Sequence, residues 1–254
     1  MDRVDEIRHV LGGDVTADID GTTGLESAVS GSNIVIDATD GGTDGHREVV
    51  AETETMVDDE TVIAVSDTSL SVTAVATGLR SPDRAVGLNP VDPPDGAIVE
   101  VVIAEQTTTA TRDRVTDFVE SLDASPVVVR DTPGFAALRL ELATIAEAIR
   151  MVEDGVAGVR DIDRTFKRGE SDRDGPLVRA DRHGLETVLR ALEDLADRLD
   201  ERFEPPALLR QKVADGQRGA VSGEGFYEWD DGEPTTGADP DPDVPTRDSE
   251  RDLR

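Results

Sequence analysis

Apolar residues in the first half of the chain fall in short runs separated by polar, glycine-bearing stretches, and two periods alternate. "NIVIDA" (33–38) is a short apolar run of the buried parallel-strand type. Gly41, Gly42 and Gly45 follow, and then a helical pattern, "HREVVAETETMV", beginning at His46. "TVIAVS" (61–66) predicts a second buried strand, and "SLSVTAVATGL" after it a short helix capped by a hydroxyl residue. "RAVGL" (84–88) and "IVEVVIA" (98–104) are further strands, residues 112–122 are helical, and "SPVVVRD" (125–131) closes the sheet. This alternation predicts an α/β domain with a mostly parallel sheet over residues 1–131.

From Asp131 the period becomes that of a helix. Asp131 and Thr132 are suited to cap a helix with Pro133 in its first turn. Leu138, Leu142, Ile145, Ala146, Ile149 and Met151/Val152 then repeat at helical spacing through about Asp154. Three more helical segments follow, at about 161–168, 183–201 and 206–215. No strand-like run interrupts them, so residues 132–229 predict a separate all-helical domain. Leu185, Val188, Leu189, Leu192, Leu195, Ala196 and Leu199 make a broad apolar stripe, wide enough to face a core and a partner, or to lie wholly inside the domain. Residues 230–254 are acidic, rich in Pro and Gly and poor in large apolar side chains, and are expected to lack structure.

Composition narrows the classes of function. Aromatic residues make up only 3% of the 254, so the core must be built from Val, Ala, Leu and Ile. A formal charge of −30 argues against nucleic acid or an anionic membrane as partner. Lys167 and Lys212 are the only lysines among 26 basic residues. An acidic, lysine-poor chain suits a cytosol at molar salt, where the Debye length is about 3 Å and crowded carboxylates repel weakly; an ordinary acidic protein is the alternative. Without cysteine there is no disulfide, thiol nucleophile or thiolate-bound metal, and no His/Asp/Glu spacing suggests a metal site. No apolar run approaches the ~20 residues of a membrane span, and "MDRVDEIRHVLGG" lacks a signal peptide's apolar segment. A cytoplasmic protein is expected.

Blocks spread along the chain carry more specific information. They are "DTSLSVT" (67–73), "RAVGLNPVDPP" (84–94), "IVEVV" (98–102), "VVVRDTPGF" (127–135), "EAIRMVEDGVAGVRDIDRTFKRG" (147–169), "GPLVRADRHGLETVL" (175–189), "PPALLRQKVADGQRG" (205–219) and "SGEGFYEW" (222–229). In this order, over roughly three quarters of the chain, they resemble the L-3-hydroxyacyl-CoA dehydrogenases of fatty-acid β-oxidation. The resemblance implies a Rossmann-like domain that binds NAD, followed by an all-α C-terminal-type domain of that family, which dimerises. It also implies an acyl-CoA substrate. In the family a histidine held by a glutamate takes the hydroxyl proton while hydride passes to the nicotinamide.

Carried over residue by residue, the resemblance points to an altered site. The family's loop reads Gly-Leu-His-Phe-Phe-Asn-Pro, so the base falls at Asn89, the aromatic pair at Pro90 and Val91, and an asparagine at Asp92. An amide cannot accept and release a proton near neutral pH, and losing a positioned base costs about 10²- to 10⁴-fold in rate. Asp92, three residues along and with a shorter side chain, does not replace it. Glu100 falls on the histidine's partner, although a Glu on a strand with solvent access is also an ordinary surface residue; with no histidine to orient, we expect a retained ancestral feature rather than a working one. Thr68 falls on a substrate-contacting serine and Ser66 on an asparagine, although Thr68 and Ser69 would equally serve as caps of the next helix. Leu138 stands at another active-site asparagine.

On the cofactor side, Asp37 retains the acid of a strand-end Glu-Ala pair, and His46 stands where a lysine near the cofactor is usual. For His46 a solvated helix position is the expectation. The Gly-x-Gly-x-x-Gly turn that would hold a pyrophosphate is not found: "VLGGDVTADIDGTTG" (10–24) lacks the spacing and follows no hydrophobic strand. The Rossmann-like unit therefore reads as shortened by its first two strands. His9 lies in an unplaced polar segment, His183 at a helix start, and "SGEGFYEW" is expected to pack rather than to stack on a ligand. Two functions follow. One is an oxidoreductase completed by another chain. The other, which the residues favour, is a non-catalytic relative that binds acyl-CoA, or associates as a homodimer or with a full-length paralogue.

Overall fold

The structure, a computed structural model, describes residues 32–39, 41–91, 97–166 and 174–237. The chain separates into two compact units between Leu138 and Arg139, past the boundary expected at 131/132. Those segments leave out His9, Asp92 and the stretch 10–24.

The first unit is a five-stranded sheet in the order β1-β2-β3-β4-β5. Its strands are β1 (Ile34–Asp37), β2 (Val62–Val65), β3 (Ala85–Val91), β4 (Ile98–Ile103) and β5 (Ser125–Arg130). β1, β2 and β3 are parallel; β4 runs antiparallel to β3, and β5 parallel to β4. Helices α1 (Gly42–Glu54), α2 (Val72–Ala76) and α3 (Thr109–Ser121) complete it. The two-residue period of the strands sorts their side chains between two cores. Val62, Ala64, Val86, Leu88, Val99 and Val101 pack with Val115 and Val119 of α3. The alternate residues Ile63 and Val65 pack with Val50 of α1 and with Val75 and Ala76 of α2. At Gly87 a Cβ would sit 2.8 Å from atoms of both Val102 and Val72, so glycine lets α2 rest directly on the sheet.

A buried carboxylate ties this unit's far end. Glu54 accepts from the N–H groups of Arg80 (2.7 Å) and Ser81 (3.0 Å) and from the Arg84 guanidinium (2.9 Å). Burial alone would push its carboxyl up, but these donors outweigh it and hold it below the ordinary 4.5. The unfolded chain therefore binds the proton more tightly, so this stabilisation is complete above pH 4.5 and is lost as pH falls through the lowered folded value. We expect Glu54→Gln to flatten the acid limb of the thermal-midpoint profile over about pH 3 to 6.

The second unit holds α4 (Ala137–Glu153), whose first two residues belong to the preceding unit, and α5 (Val159–Phe166), α6 (Pro176–His183), α7 (Leu185–Arg198) and α8 (Ala207–Ala214). It is not all-helical. An antiparallel hairpin, β6 (Tyr227–Asp230) and β7 (Glu233–Gly237), closes it, and β7 lies within the stretch 230–254 expected to lack structure. The helix predicted from Pro133 starts instead at Ala137, and His183 ends α6 rather than opening a helix. Of the apolar stripe on α7, Leu185, Val188, Leu192 and Leu195 are buried, while Leu189, Ala196 and Leu199 are half-buried.

Two internal carboxylates explain why "SGEGFYEW" reads as it does. Asp181 accepts from the N–H groups of Phe226 and Tyr227 and from Trp229 Nε1, each at 2.9 Å. Asp163 accepts from the N–H groups of Leu177 (2.9 Å) and Val178 (3.1 Å) and from the Tyr227 hydroxyl (2.8 Å). Burial and the Asp163 charge push the Tyr227 hydroxyl up, which keeps it a donor. Burial also pushes the Asp181 carboxyl up, against the pull of its three donors and of Lys212. The motif packs, as expected. A Cβ at Gly225 would collide with the Asp181 carboxylate. Gly225→Ala is thus expected to cost about 3 kcal/mol, seen as a lowered urea midpoint with an unchanged slope.

Candidate functional site

Asn89 and Glu100 are directly opposite each other in the antiparallel β3–β4 ladder, so their side chains share a face. Asn89 Nδ2 donates to Glu100 Oε2 at 2.6 Å. Glu100 Oε1 accepts from the N–H groups of Ala136 and Ala137, both at 2.9 Å. Glu100 is only 2% exposed, not the solvated strand residue expected from the sequence. The reason lies in the turn that crosses this face. Gly134 (φ 69°) and Phe135 (φ 46°) adopt left-handed backbone, which drops the Phe135 ring among Val72, Val102 and Ala104. The next two N–H groups, at the start of α4, then point at the carboxylate two residues before Val102 on β4.

Asp131 therefore does not cap the helix that follows it. Its Oδ2 accepts from Ser71 Oγ (2.8 Å) and from the N–H of Thr73 (2.7 Å), tying the start of α2 to the end of β5. Glu100 does the capping of α4 that sequence reasoning gave to Asp131 and Thr132. A long-range cap of this kind leaves no local pattern in the chain.

The remaining predicted residues cluster at the carboxyl ends of β1 and β2. Asp37 Oδ1 accepts from the N–H and hydroxyl of Thr39, and its Oδ2 lies 2.7 Å from His46 Nδ1. His46 is 0% exposed, which corrects the solvated reading. It shares the sheet-facing stripe of α1 with Val50 and Thr53, and the Asp37 carboxylate supplies the partner that burial requires. The second ring nitrogen, Nε2, is 3.7 Å from Asp67 Oδ2, beyond hydrogen-bond range. Asp67 Oδ1 accepts from the N–H and hydroxyl of Ser69, repeating at β2 the turn that Asp37 makes at β1. The matching spacings Asp37–Thr39 and Asp67–Ser69 were the available signal for this arrangement.

Ser66 is buried, and its N–H donates to the Asp37 carbonyl. The cap of α2 is Ser71, which accepts from the N–H of Ala74, so neither Thr68 nor Ser69 serves there. Thr68 stays half-buried, with no hydrogen-bond partner for its hydroxyl among the described residues. Leu138 is half-buried in the first turn of α4.

The glycine-bearing turn between β1 and α1 places Asp44 in the first helical turn and adjoins the buried Asp37; residues 10–24, the other glycine-bearing stretch, lie outside the described residues. Among the described residues no set of three or more His, Asp or Glu could hold a metal ion, and no helix is long and apolar enough to cross a membrane.

Comparison with known proteins gives this arrangement a family. The profile of the NAD-binding domain of 3-hydroxyacyl-CoA dehydrogenase matches residues 7–132, and that of the C-terminal domain matches residues 134–229. The chain belongs to the 3-hydroxyacyl-CoA dehydrogenase family. Among relatives of this family, a probable 3-hydroxybutyryl-CoA dehydrogenase of Deinococcus radiodurans is 37% identical over 176 residues, or 68% of this chain. That match spans 63% of the relative's own length. The 3-hydroxybutyryl-CoA dehydrogenase of Clostridioides difficile is 28% identical over 85% of this chain and 77% of its own. In structure, the (S)-3-hydroxybutyryl-CoA dehydrogenase PaaH1 of Ralstonia eutropha aligns with a TM-score of 0.73 at 30% identity, covering 81% of this chain and 72% of that one. The Rossmann-like sheet and the mainly helical C-terminal unit are those of the 3-hydroxyacyl-CoA dehydrogenases, whose cofactor is NAD.

Within this family member, the Glu100 carboxylate serves three donors and Asn89 only one of them. Glu100→Ala is expected to cost about 3 kcal/mol, because it strands the N–H groups of Ala136 and Ala137 as well as the amide. Asn89→Ala should cost about 1 kcal/mol. Urea denaturation of both variants gives the order, and equal losses would contradict the hub.

Proposed function

We propose that this 3-hydroxyacyl-CoA dehydrogenase family protein binds acyl-CoA thioesters without oxidising them. The observation that supports this reading is the 2.6 Å hydrogen bond from Asn89 to Glu100. By the resemblance, the family's base falls at residue 89 and its orienting glutamate at residue 100. The carboxylate and its backbone donors are in place, and the group they would orient is an amide. Asn89 can hold an oxygen but cannot carry a proton away from it. His46 is sealed off by burial and bound to Asp37, so it offers no replacement base. The setting we propose is a cytosol of high ionic strength, in keeping with the charge of −30.

A second reading, in which another chain associates with this one, draws on the sheet. β1 is the outermost strand on its side among the described residues, yet its run Ile34–Ile36 is apolar on both faces and only half-buried. Parallel strands of this composition ordinarily have neighbours. The partner would be a second copy or a full-length relative that supplies a nucleotide-binding half.

Calorimetric titration of the purified chain in molar KCl with acetoacetyl-CoA, NAD and NADH tests the first reading. Binding of the thioester, with no NADH formed from 3-hydroxybutyryl-CoA and NAD, is the expected result. Steady NADH production by the chain alone would sink it, and production only on mixing with a full-length relative would favour the second reading.

A further inference from the structure

β5 is the last strand on its side of the sheet and pairs only with β4 among the described residues. Its middle is the run Val127, Val128, Val129, and Val127 and Val128 are 42% and 50% exposed. Natural sheets blunt such an edge with charge or proline, because its unpaired groups are a template for another strand. Here only Pro126, at one end, does so. We infer that β5 is an association surface whose occupant is a second copy of this chain, paired antiparallel through β5 about a two-fold axis at Val128. Such pairing does not depend on acyl-CoA binding. It also uses the first unit, whereas by the resemblance dimerisation falls to the helical domain.

The backbone selects the register. The Ser125 N–H donates to the Ala97 carbonyl and the Asp131 N–H to the Ile103 carbonyl. The N–H and C=O of one strand residue point to the same side, and those of the next point to the other. Residues 125, 127, 129 and 131 therefore face β4, and the backbone of 126, 128 and 130 faces outward, without a partner among the described residues. Pro126 offers a carbonyl but no N–H. With Val128 opposite itself, the two copies exchange N–H···O bonds there, and each Arg130 N–H meets the other copy's Pro126 carbonyl. The donor that proline lacks is missed only by the Arg130 carbonyl, at the end of the ribbon, where water reaches it. Moving the axis to Val127 would set Pro126 against Val128 and leave the Val128 carbonyl without a donor. Moving it to Val129 would bring the two Arg130 side chains to diagonal positions on one face and set Val127 against Asp131.

The side chains agree with an axis at Val128. Val127 then falls opposite Val129, and Val128 opposite its own counterpart, so apolar meets apolar on both faces of the ribbon. Val128 lies beside Val101 on the face covered by α3, and Val129 packs with Val72, Val102 and Phe135 on the other, so the pairing extends both cores. Charge is complementary as well. The Arg130 guanidinium and the Asp123 carboxylate are exposed at opposite ends of β5, and neither has a partner among the described residues. Antiparallel pairing carries each Arg130 to the end where the other copy's Asp123 stands. A strand of unrelated sequence would match the proline gap, the valine run and the end charges only by coincidence, whereas a second copy does so by symmetry.

The chain has no cysteine, so a single introduced thiol reports only on its own surroundings. In a hydrogen-bonded antiparallel pair the Cα atoms are about 5.5 Å apart, within the span of a disulfide. In molar KCl with diamide as oxidant, Val128→Cys is expected to cross-link to itself about a hundredfold faster than Asp117→Cys, an exposed position on α3. Without oxidant, sedimentation equilibrium should give Val128→Lys at most half the mass of the wild type, with an unchanged circular dichroism spectrum. Equal masses of the folded variant and the wild type, or cross-linking of Val128→Cys no faster than that of Asp117→Cys, overturns the inference and leaves the acyl-CoA reading untouched.

Discussion

A buried carboxylate that gathers backbone N–H groups from a distant part of the chain recurs through this structure, and the fold depends on it. Glu54 collects residues 80 and 81, Glu100 collects 136 and 137, and Asp131 collects 73. In the second unit Asp163 collects 177 and 178, and Asp181 collects 226 and 227. Most of these amides lie at or beside helix or strand starts, where no partner within the element exists. A carboxylate accepts several donors at once and donates none. With aromatics at 3%, interlocking ring packing contributes little, and these polar clamps fix how elements are placed.

The same device explains why the shape of the site does not depend on which hydrogen-bond donor occupies residue 89. In the resemblance the glutamate exists to orient a histidine. Here it also caps α4 and anchors the turn that buries Phe135, so two of its three hydrogen bonds do not involve residue 89. Any residue at 89 able to donate one hydrogen bond satisfies the third. Asparagine does so, and the architecture is kept. The glutamate at residue 100 thus has a structural role of its own in capping α4.

The surface and the interior use acidity in opposite ways. Outside, the exposed ones among the 56 acidic side chains raise repulsion that salt screens, and exposed pairs such as Arg47–Asp44 add little. Inside, carboxylates are held by short contacts that salt does not reach. Salt and acid should therefore act on different parts of the molecule: ionic strength on the shell, protonation on clamps such as Glu54.

The order of strands and helices, the mostly parallel sheet and the change of character after Asp131 were legible in the sequence, because burial on a strand or helix follows a short local period. Asn89 was legible as well, since its chemistry is a property of the residue itself. The places that needed tertiary structure are those where a side chain's partner lies tens of residues away. Glu100 looked exposed because nothing adjacent in the chain announces that residues 136 and 137 will land on it. His46 looked solvated until Asp37 was seen to meet it, and the hairpin of Tyr227 to Gly237 was hidden because Asp181, not local propensity, holds its first strand. Periodicity and residue chemistry are local and can be read along the chain, whereas satisfaction of a buried polar group is a contact between segments and is decided only when the chain folds.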